Sequence, residues 1–142
     1  MIRPARKEDI KEIARIFLEE NIKPPYNIKT DMEKSIRTIE SYFENETIFV
    51  AEESRIAGFI IAFCHYWLHG NEVWISELFV SPDWQVKGIG RKLIEKVLDH
   101  FKEKDIKKIS LMANKDAKAM KFYEKLGFKE FGSIRLFQKF IK

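Results

Sequence analysis

The sequence predicts an α/β (α+β) protein with a mixed central sheet flanked by helices, in the order β-α-α-β-β-β-α-β-α-β. Three features carry this reading. Two segments near the start place apolar residues at helical spacing. From Thr47 to Val80 three apolar strands follow one another through turns too short for a crossover, so they form an antiparallel meander. After Pro82 the apolar repeat lengthens to a helix period and a further strand follows, which gives a parallel crossover.

Taken in order, Ile2 to Ala5 is a short strand closed by its proline. Ile10, Ile13, Ala14, Phe17 and Leu18 share one helical face, and Asp9 suits the positive end of that helix. Pro24-Pro25 marks a loop. Thr30-Asp31-Met32-Glu33 reads as a capping box opening a second helix, with Met32, Ile36, Ile39 and Phe43 inward. Thr47 to Glu52 is a strand, Ser54-Arg55 a turn, and Arg55 to Trp67 a longer strand with Gly58 as a bulge or close-approach point. His69-Gly70-Asn71 turns the chain into a strand from Glu72 to Val80. Ile89, Leu93, Val97 and Phe101 form the apolar stripe of the next helix. Lys108 to Ala113 is a strand, Ala117 to Leu126 a helix stopped by Gly127, and Phe128 to Ile141 one or two final strands.

Length and composition narrow the function classes. The 142 residues fit a single domain, 1–142, and such a chain can bury a core without staples. Hydrophobic residues at 45% and charged residues at 34% exclude a disordered chain. One cysteine, Cys64, excludes a disulfide framework within the chain and reads as a small buried residue. His65, His69 and His100 have no metal-ligand spacing, so no metal is expected. The longest apolar run, Ile56 to Cys64, is too short to span a bilayer, and the N-terminus lacks an apolar leader, so the expectation is a cytoplasmic protein with no membrane partner. The net charge of +4 is mild, and no nucleic-acid signature accompanies it.

The chemistry-bearing stretch is Val80-Ser81-Pro82-Asp83-Trp84-Gln85-Val86-Lys87-Gly88-Ile89-Gly90-Arg91-Lys92. A strand ends, a loop follows, and glycines open a helix. First-turn N–H groups lack helical partners and carry partial positive charge. Gly88 and Gly90 let an anion approach the backbone, Gln85 can donate an amide hydrogen bond, and Lys87 and Arg91 add charge. The stretch is neither a P-loop nor a dinucleotide fingerprint: the lysine-serine ending and the third glycine are both missing.

Gln85-Val86-Lys87-Gly88-Ile89-Gly90 resembles the acyl-CoA signature of the GCN5-related N-acetyltransferase (GNAT) family: Gln or Arg, two residues, Gly, any residue, then Gly or Ala. Val80-x-Pro82 before it and the amphipathic helix after it fit as well. Phe122-Tyr123-Glu124-Lys125-Leu126-Gly127-Phe128 is similar to the family's helix-to-strand motif. The resemblance covers essentially the whole chain and implies the acyl-CoA N-acyltransferase fold.

It also implies a reaction: direct transfer of the acetyl group of acetyl-CoA to a primary amine of a small molecule or a peptide N-terminus. The pyrophosphate would lie on the backbone from Gln85 to Arg91, including Val86 and Ile89. The pantetheine arm would pair with the edge Glu77-Leu78-Phe79-Val80, like an added strand. A backbone N–H at Leu78 or Val80 would donate to the oxyanion. Tyr123 would protonate the departing thiolate; without the motif it reads as a core tyrosine beside Phe122 and Leu126. Glu77 interrupts an apolar strand just before the binding edge and is the candidate base, acting through water. The alternatives are a solvent-facing residue or an ion pair. Relatives often carry Asn seven residues before the tyrosine, against the pantetheine arm; here that position is Asp116, equally suited to a helix N-cap, and Asn114 lies nine before.

The acceptor is undecoded. In this architecture residues 17–43 form its wall, where Phe17, Tyr26, Tyr42 and Phe43 line a pocket or fill the core. No concentrated acidic patch marks a polyamine. A homodimer through sheet edges fits the family. The alternative function is a non-catalytic acyl-CoA-binding sensor or interaction module on the same fold.

Overall fold

In a computed structural model that describes residues 1–85 and 87–141, the elements run β1 (Ile2–Pro4), α1 (Ile10–Ile22), α2 (Met32–Asn45), β2 (Thr47–Glu52), β3 (Ile56–Trp67), β4 (Gly70–Val80), α3 (Ile89–His100), β5 (Ile106–Leu111) and α4 (Ala119–Lys125). The chain divides into two compact units, Met1–Met112 and Ala113–Lys142. In the first unit the strands stand in sequence order in one mixed sheet, antiparallel from β1 to β4 and parallel between β4 and β5.

Alternation of side chains sorts the sheet into two faces. Ile48 and Val50 of β2 and Phe59 and Ile61 of β3 pack with Ile13 and Ile16 of α1 and Ile39 of α2. Phe49 lies on the opposite face of β2, edge-on to His100 of α3 and beneath the ammonium of Lys96. α3 buries Ile89, Leu93, Ile94 and Val97, the stripe its period predicts. Asp31, not Thr30, caps α2: its carboxylate accepts from the N–H of Lys34 at 2.9 Å. An aspartate reaches the N3 amide as well as a threonine does, so the helix starts one residue later than the Thr30 box predicts.

Arg3 is buried, and its guanidinium makes paired bonds to Asp9 (2.8 and 3.0 Å) and to Glu52 (3.3 and 3.0 Å). Asp9 also accepts from the N–H of Arg6 at 2.7 Å. The guanidinium holds the Asp9 carboxyl below its ordinary range. This clasp ties the three-residue β1 to β2 and to the entry of α1.

Two irregularities in the ladder matter. Between β2 and β3 the register shifts beside Gly58, and a Cβ there would lie 2.6 Å from the carbonyl oxygen of Phe79 on β4. Gly58 is therefore a point of close backbone approach. In β4, Ser76 is the extra residue, since Ile61 pairs with Glu77 while Ala62 pairs with Ile75. Cross-strand partners share a face. Ile75 thus stands on the face of Ala62, and Glu77 and Phe79 on the face of Ile61 and Phe59, toward α1 and α2. β5 pairs with β4 only from Asn71 to Ile75, so Ser76 to Val80 continue beyond it.

The expectation for Phe128 to Ile141 is corrected: among the described residues this stretch forms no strand. Its N–H of Ile134 closes a turn onto Phe131 at 3.2 Å. Phe131, Ile134, Leu136, Phe137, Phe140 and Ile141 are all exposed, so nothing buries them as the inner face of a sheet would be buried.

Gly58→Ala is expected to destabilise the protein by about 1–3 kcal/mol, because the added methyl meets backbone, which cannot swing aside. Urea unfolding of the two proteins checks this; an unchanged midpoint would refute the close approach.

Candidate active site

The loop after β4 is built by local hydrogen bonds. Pro82–Trp84 make a single 3₁₀ turn, the N–H of Trp84 bonding the Ser81 carbonyl at 2.8 Å. Gly88 is the N-cap of α3 with φ of 75°, a left-handed conformation that favours glycine. A Cβ at Gly88 would meet nothing within 4 Å, so the space before the helix is open. The first helical bond among the described residues runs from Lys92 N–H to Gly88 O at 3.1 Å, and the N–H groups of Ile89 and Arg91 have no helical acceptor among those residues. Lys87 places its ammonium 4.6 Å from the Trp84 ring centre. Gln85 donates from Nε2 to the Val80 carbonyl at 2.9 Å, bracing the loop and committing one of its two amide hydrogens. Val86 lies outside the described residues. This donor set, with two cations and no side chain at Gly88, fits a diphosphate.

The end of β4 offers a second row of donors. The N–H of Ser81 bonds the Ala57 carbonyl on β3 at 2.8 Å. Ladder contacts repeat every second residue, so Glu77 and Phe79 also turn their backbone to β3, and Leu78 and Val80 turn theirs outward. That outward side is the one β5 has left.

On the α1/α2 face of the same strand, Glu77 meets α2. The Tyr42 hydroxyl donates to Glu77 Oε2 at 3.1 Å. The preceding residue, Ser76, donates its hydroxyl to Glu46, just past the end of α2. Adjacent residues of a regular strand would point to opposite faces; the bulge lets both reach α2. Burial pushes the Glu77 carboxyl up to about 7, the Tyr42 bond working against that and the charge of Glu46 adding to it. Burial also raises the Glu46 carboxyl, opposed by the Ser76 hydrogen bond. Tyr26, from the loop after α1, has its phenol raised by burial and by the charges of Glu20 and Glu77. Phe17 of α1 packs edge-on against Phe79, ring centres 5.6 Å apart. A carboxyl that titrates near neutrality can take and return a proton at ordinary pH.

Sequence reasoning singled out Glu77 and left Tyr42 ambiguous between core and pocket; it missed Glu46 and Ser76. A signal existed for part of this. Tyr42 and Glu46 follow Ile39 at helical steps of three and four, so they extend the buried face of α2 toward its end.

In the second unit, Tyr123 is half-buried on α4, edge-on to Phe122 and Phe128 with ring centres 5.3 and 5.6 Å away. Asn114 Oδ1 accepts the N–H of Asp116 at 2.9 Å, making a turn before the helix. Asp116 is not the helix cap: α4 begins at Ala119 after Lys118, two residues later than predicted, and Gly127 closes it with φ of 90°.

The histidines are less scattered than their spacing suggests. His65 and His69 both approach the buried Glu72 (3.4 and 3.8 Å), which Lys108 neutralises at 3.0 Å. Among the described residues no group of three or more His, Cys, Asp or Glu could hold a metal ion, and no helix is long and apolar enough to cross a membrane.

Comparison with known proteins adds a family. The model of the acetyltransferase (GNAT) family matches residues 10–128. An uncharacterized N-acetyltransferase of Methanocaldococcus jannaschii is 30% identical over 105 residues, which cover 70% of this chain and 46% of that protein. The chain thus spans less than half the length of this curated relative. An uncharacterized N-acetyltransferase of Archaeoglobus fulgidus is 29% identical over 132 residues, covering 86% of this chain and 88% of that protein. Among solved structures, a possible acetyltransferase from Clostridium difficile 630 superposes with a TM-score of 0.81 at 19% identity, over 100% of this chain and 98% of the other.

The Glu77 environment predicts a pH effect on stability. Between about 4.5 and about 7 the folded chain holds a proton at Glu77 that the unfolded chain has released. Stability therefore falls as pH rises through that window. Glu77→Gln removes the titration, so its stability advantage over the unsubstituted protein is expected to grow across the same window. Urea unfolding at several pH values measures it, and parallel curves would show that the carboxyl titrates normally.

Proposed function

The chain belongs to the acetyltransferase (GNAT) family, and we propose that within it the protein moves the acetyl group of acetyl-CoA directly to a primary amine of a small molecule or a peptide N-terminus. Residues 1–142 are read as one acetyltransferase domain. Acetyl-CoA, as cosubstrate, supplies an acyl group activated as a thioester. The observation that carries the reading is a half-buried carboxyl on β4, at Glu77, held by Tyr42 and next to a stretch of strand edge that its neighbour leaves open.

Each step falls to a group already described. The N–H groups of Ile89 and Arg91, with Lys87 and Arg91 as cations, hold the diphosphate. The open edge from Leu78 through Phe79 to Val80 takes the pantetheine amides in the manner of an added strand, through the outward backbone of Leu78 and Val80. Glu77, directly or through a water, draws the proton from the acceptor ammonium, which has no lone pair until it loses one. A free lysine-like amine holds that proton up to about 10.4, so a base is needed near neutrality. The outward N–H groups of Leu78 and Val80 are donors for the charge that develops on the carbonyl oxygen. Tyr123 gives its proton to the thiolate as the carbon–sulfur bond breaks and regains one from the second proton that the nitrogen loses on becoming the amide. Asn114 retains its amide hydrogens for the pantetheine arm, its oxygen being engaged with Asp116.

Calorimetry with acetyl-CoA, together with release of free thiol over a panel of primary amines, tests this. Binding and turnover are expected. Binding with no turnover over a broad panel would assign the chain to the alternative, a non-catalytic acyl-CoA-binding module. Neither binding nor turnover would remove both readings. Tyr123→Phe is expected to lower kcat by about 10²-fold or more while the affinity for acetyl-CoA changes little. Glu77→Gln is expected to abolish the acidic limb of kcat/KM against pH. A variant with an unaltered kcat, or an unaltered profile, takes that residue out of the mechanism.

A further inference from the structure

The assignment of Glu77 as the base leaves open what holds its carboxylate. We infer that Tyr42 is the positioning residue of this site: its hydroxyl fixes Glu77 Oε2 and selects the deprotonated form that accepts the acceptor's proton. The inference rests on the reading of Glu77 given above.

The geometry supplies the argument. Tyr42 sits one turn from the end of α2 and reaches across 35 positions of sequence to β4, with its oxygen 3.1 Å from Oε2. A carboxylate only accepts, so in this contact the phenol donates. Burial, then the neighbouring charges of Glu77 and Glu46, hold the Tyr42 phenol far above its ordinary range, so it stays a donor at any pH at which the protein works. One bond to one oxygen leaves the carboxylate ample lone pairs for a proton.

The other groups around Glu77 act differently. From the end of α2 the charge of Glu46 disfavours a second negative charge, and Glu46 is itself held by Ser76. From the loop after α1, Tyr26 lies within reach of the charges of Glu20 and Glu77. Glu20 of α1 is paired with Lys23 at 2.9 Å. From β3 the facing residue is Ile61, which carries no charge. Within the Met1–Met112 unit, then, a hydroxyl and a carboxylate pull on Glu77 in opposite directions, one from the last turn of α2 and one from the residue that follows it. A residue that only filled space would have no reason to influence the charge of Glu77 with a fixed sign.

The test needs neither acetyl-CoA nor an amine. Protein labelled with ¹³C at glutamate carboxyls is titrated by NMR, and Glu77→Gln assigns the Glu77 signal. Tyr42→Phe is expected to move the Glu77 titration upward by about one unit or more, a tenfold fall in the deprotonated fraction below the midpoint. Glu46→Gln is expected to move it downward. A Glu77 titration that stays in place or moves down in Tyr42→Phe overturns the inference. Should Tyr42→Phe fail to fold, the reciprocal measurement decides: in Glu77→Gln the Tyr42 ring carbon that bears oxygen is expected to titrate at lower pH, and no change overturns the inference. Shifted titrations in a protein that acetylates no amine would refute the acetyl-transfer reading alone. Turnover with unshifted titrations would refute only the role of Tyr42.

Discussion

One extra residue, Ser76, decides which face the second half of β4 presents. With strict alternation Val73, Ile75, Glu77 and Phe79 would share a face. The bulge instead leaves Ile75 opposite Ala62 and turns Glu77 and Phe79 toward α1 and α2. Phe79 joins the apolar cluster there, so the burial of an aromatic ring favours the same arrangement that brings a carboxyl into contact with Tyr42. At the same place β5 stops pairing with β4. The ladder thus yields an inward acid and, past the end of β5, outward-turned N–H groups at Leu78 and Val80 from one local defect. Bulges commonly re-aim side chains in this way.

A carboxyl partly withdrawn from water, as Glu77 is, carries a free-energy cost whenever it is charged. Here that cost is what sets its titration near neutrality, and it is tolerated because the surrounding packing is continuous. Phe79, two residues along the same strand, meets the rings of both Phe17 and Phe59, and Gly58 lets β3 and β4 approach closely. Stability in the core therefore underwrites a residue that is itself unfavourable, a common division of labour between a rigid scaffold and a reactive group.

Much of the fold was legible because the signals are local. Periods of two and of about four marked the strands and helices from Ile2 to Leu126, and Pro24-Pro25 and Gly127 marked their ends. The loop that opens α3 was legible for the same reason, since its glycines stand between a strand and an amphipathic repeat; the left-handed φ of Gly88 is known only from the structure. What stayed hidden depends on pairs distant in sequence. Tyr42 and Glu77 are 35 residues apart and Glu46 and Ser76 are 30 apart, so no window contains both members. Acidic residues that look dispersed along the chain are gathered at the end of α2 by a bulge, and a bulge has no residue signature in Trp74-Ile75-Ser76-Glu77. The tail after Phe128 shows the reverse error: apolar content suggested strands, but Phe131, Ile134, Leu136, Phe137, Phe140 and Ile141 stay exposed, so no burial supports a strand there.

The Arg3 clasp bears on self-association. Exposed strand edges template pairing with other chains unless they are short, charged or interrupted by proline. β1 is all three: it spans three residues, its Arg3 is drawn inward onto Asp9 and Glu52, and Pro4 has no N–H to give. A partner strand laid along it would find too few backbone groups to register against. The first border of the sheet is in effect sealed, and any dimer of this chain that grows by continuing the sheet must start from somewhere else.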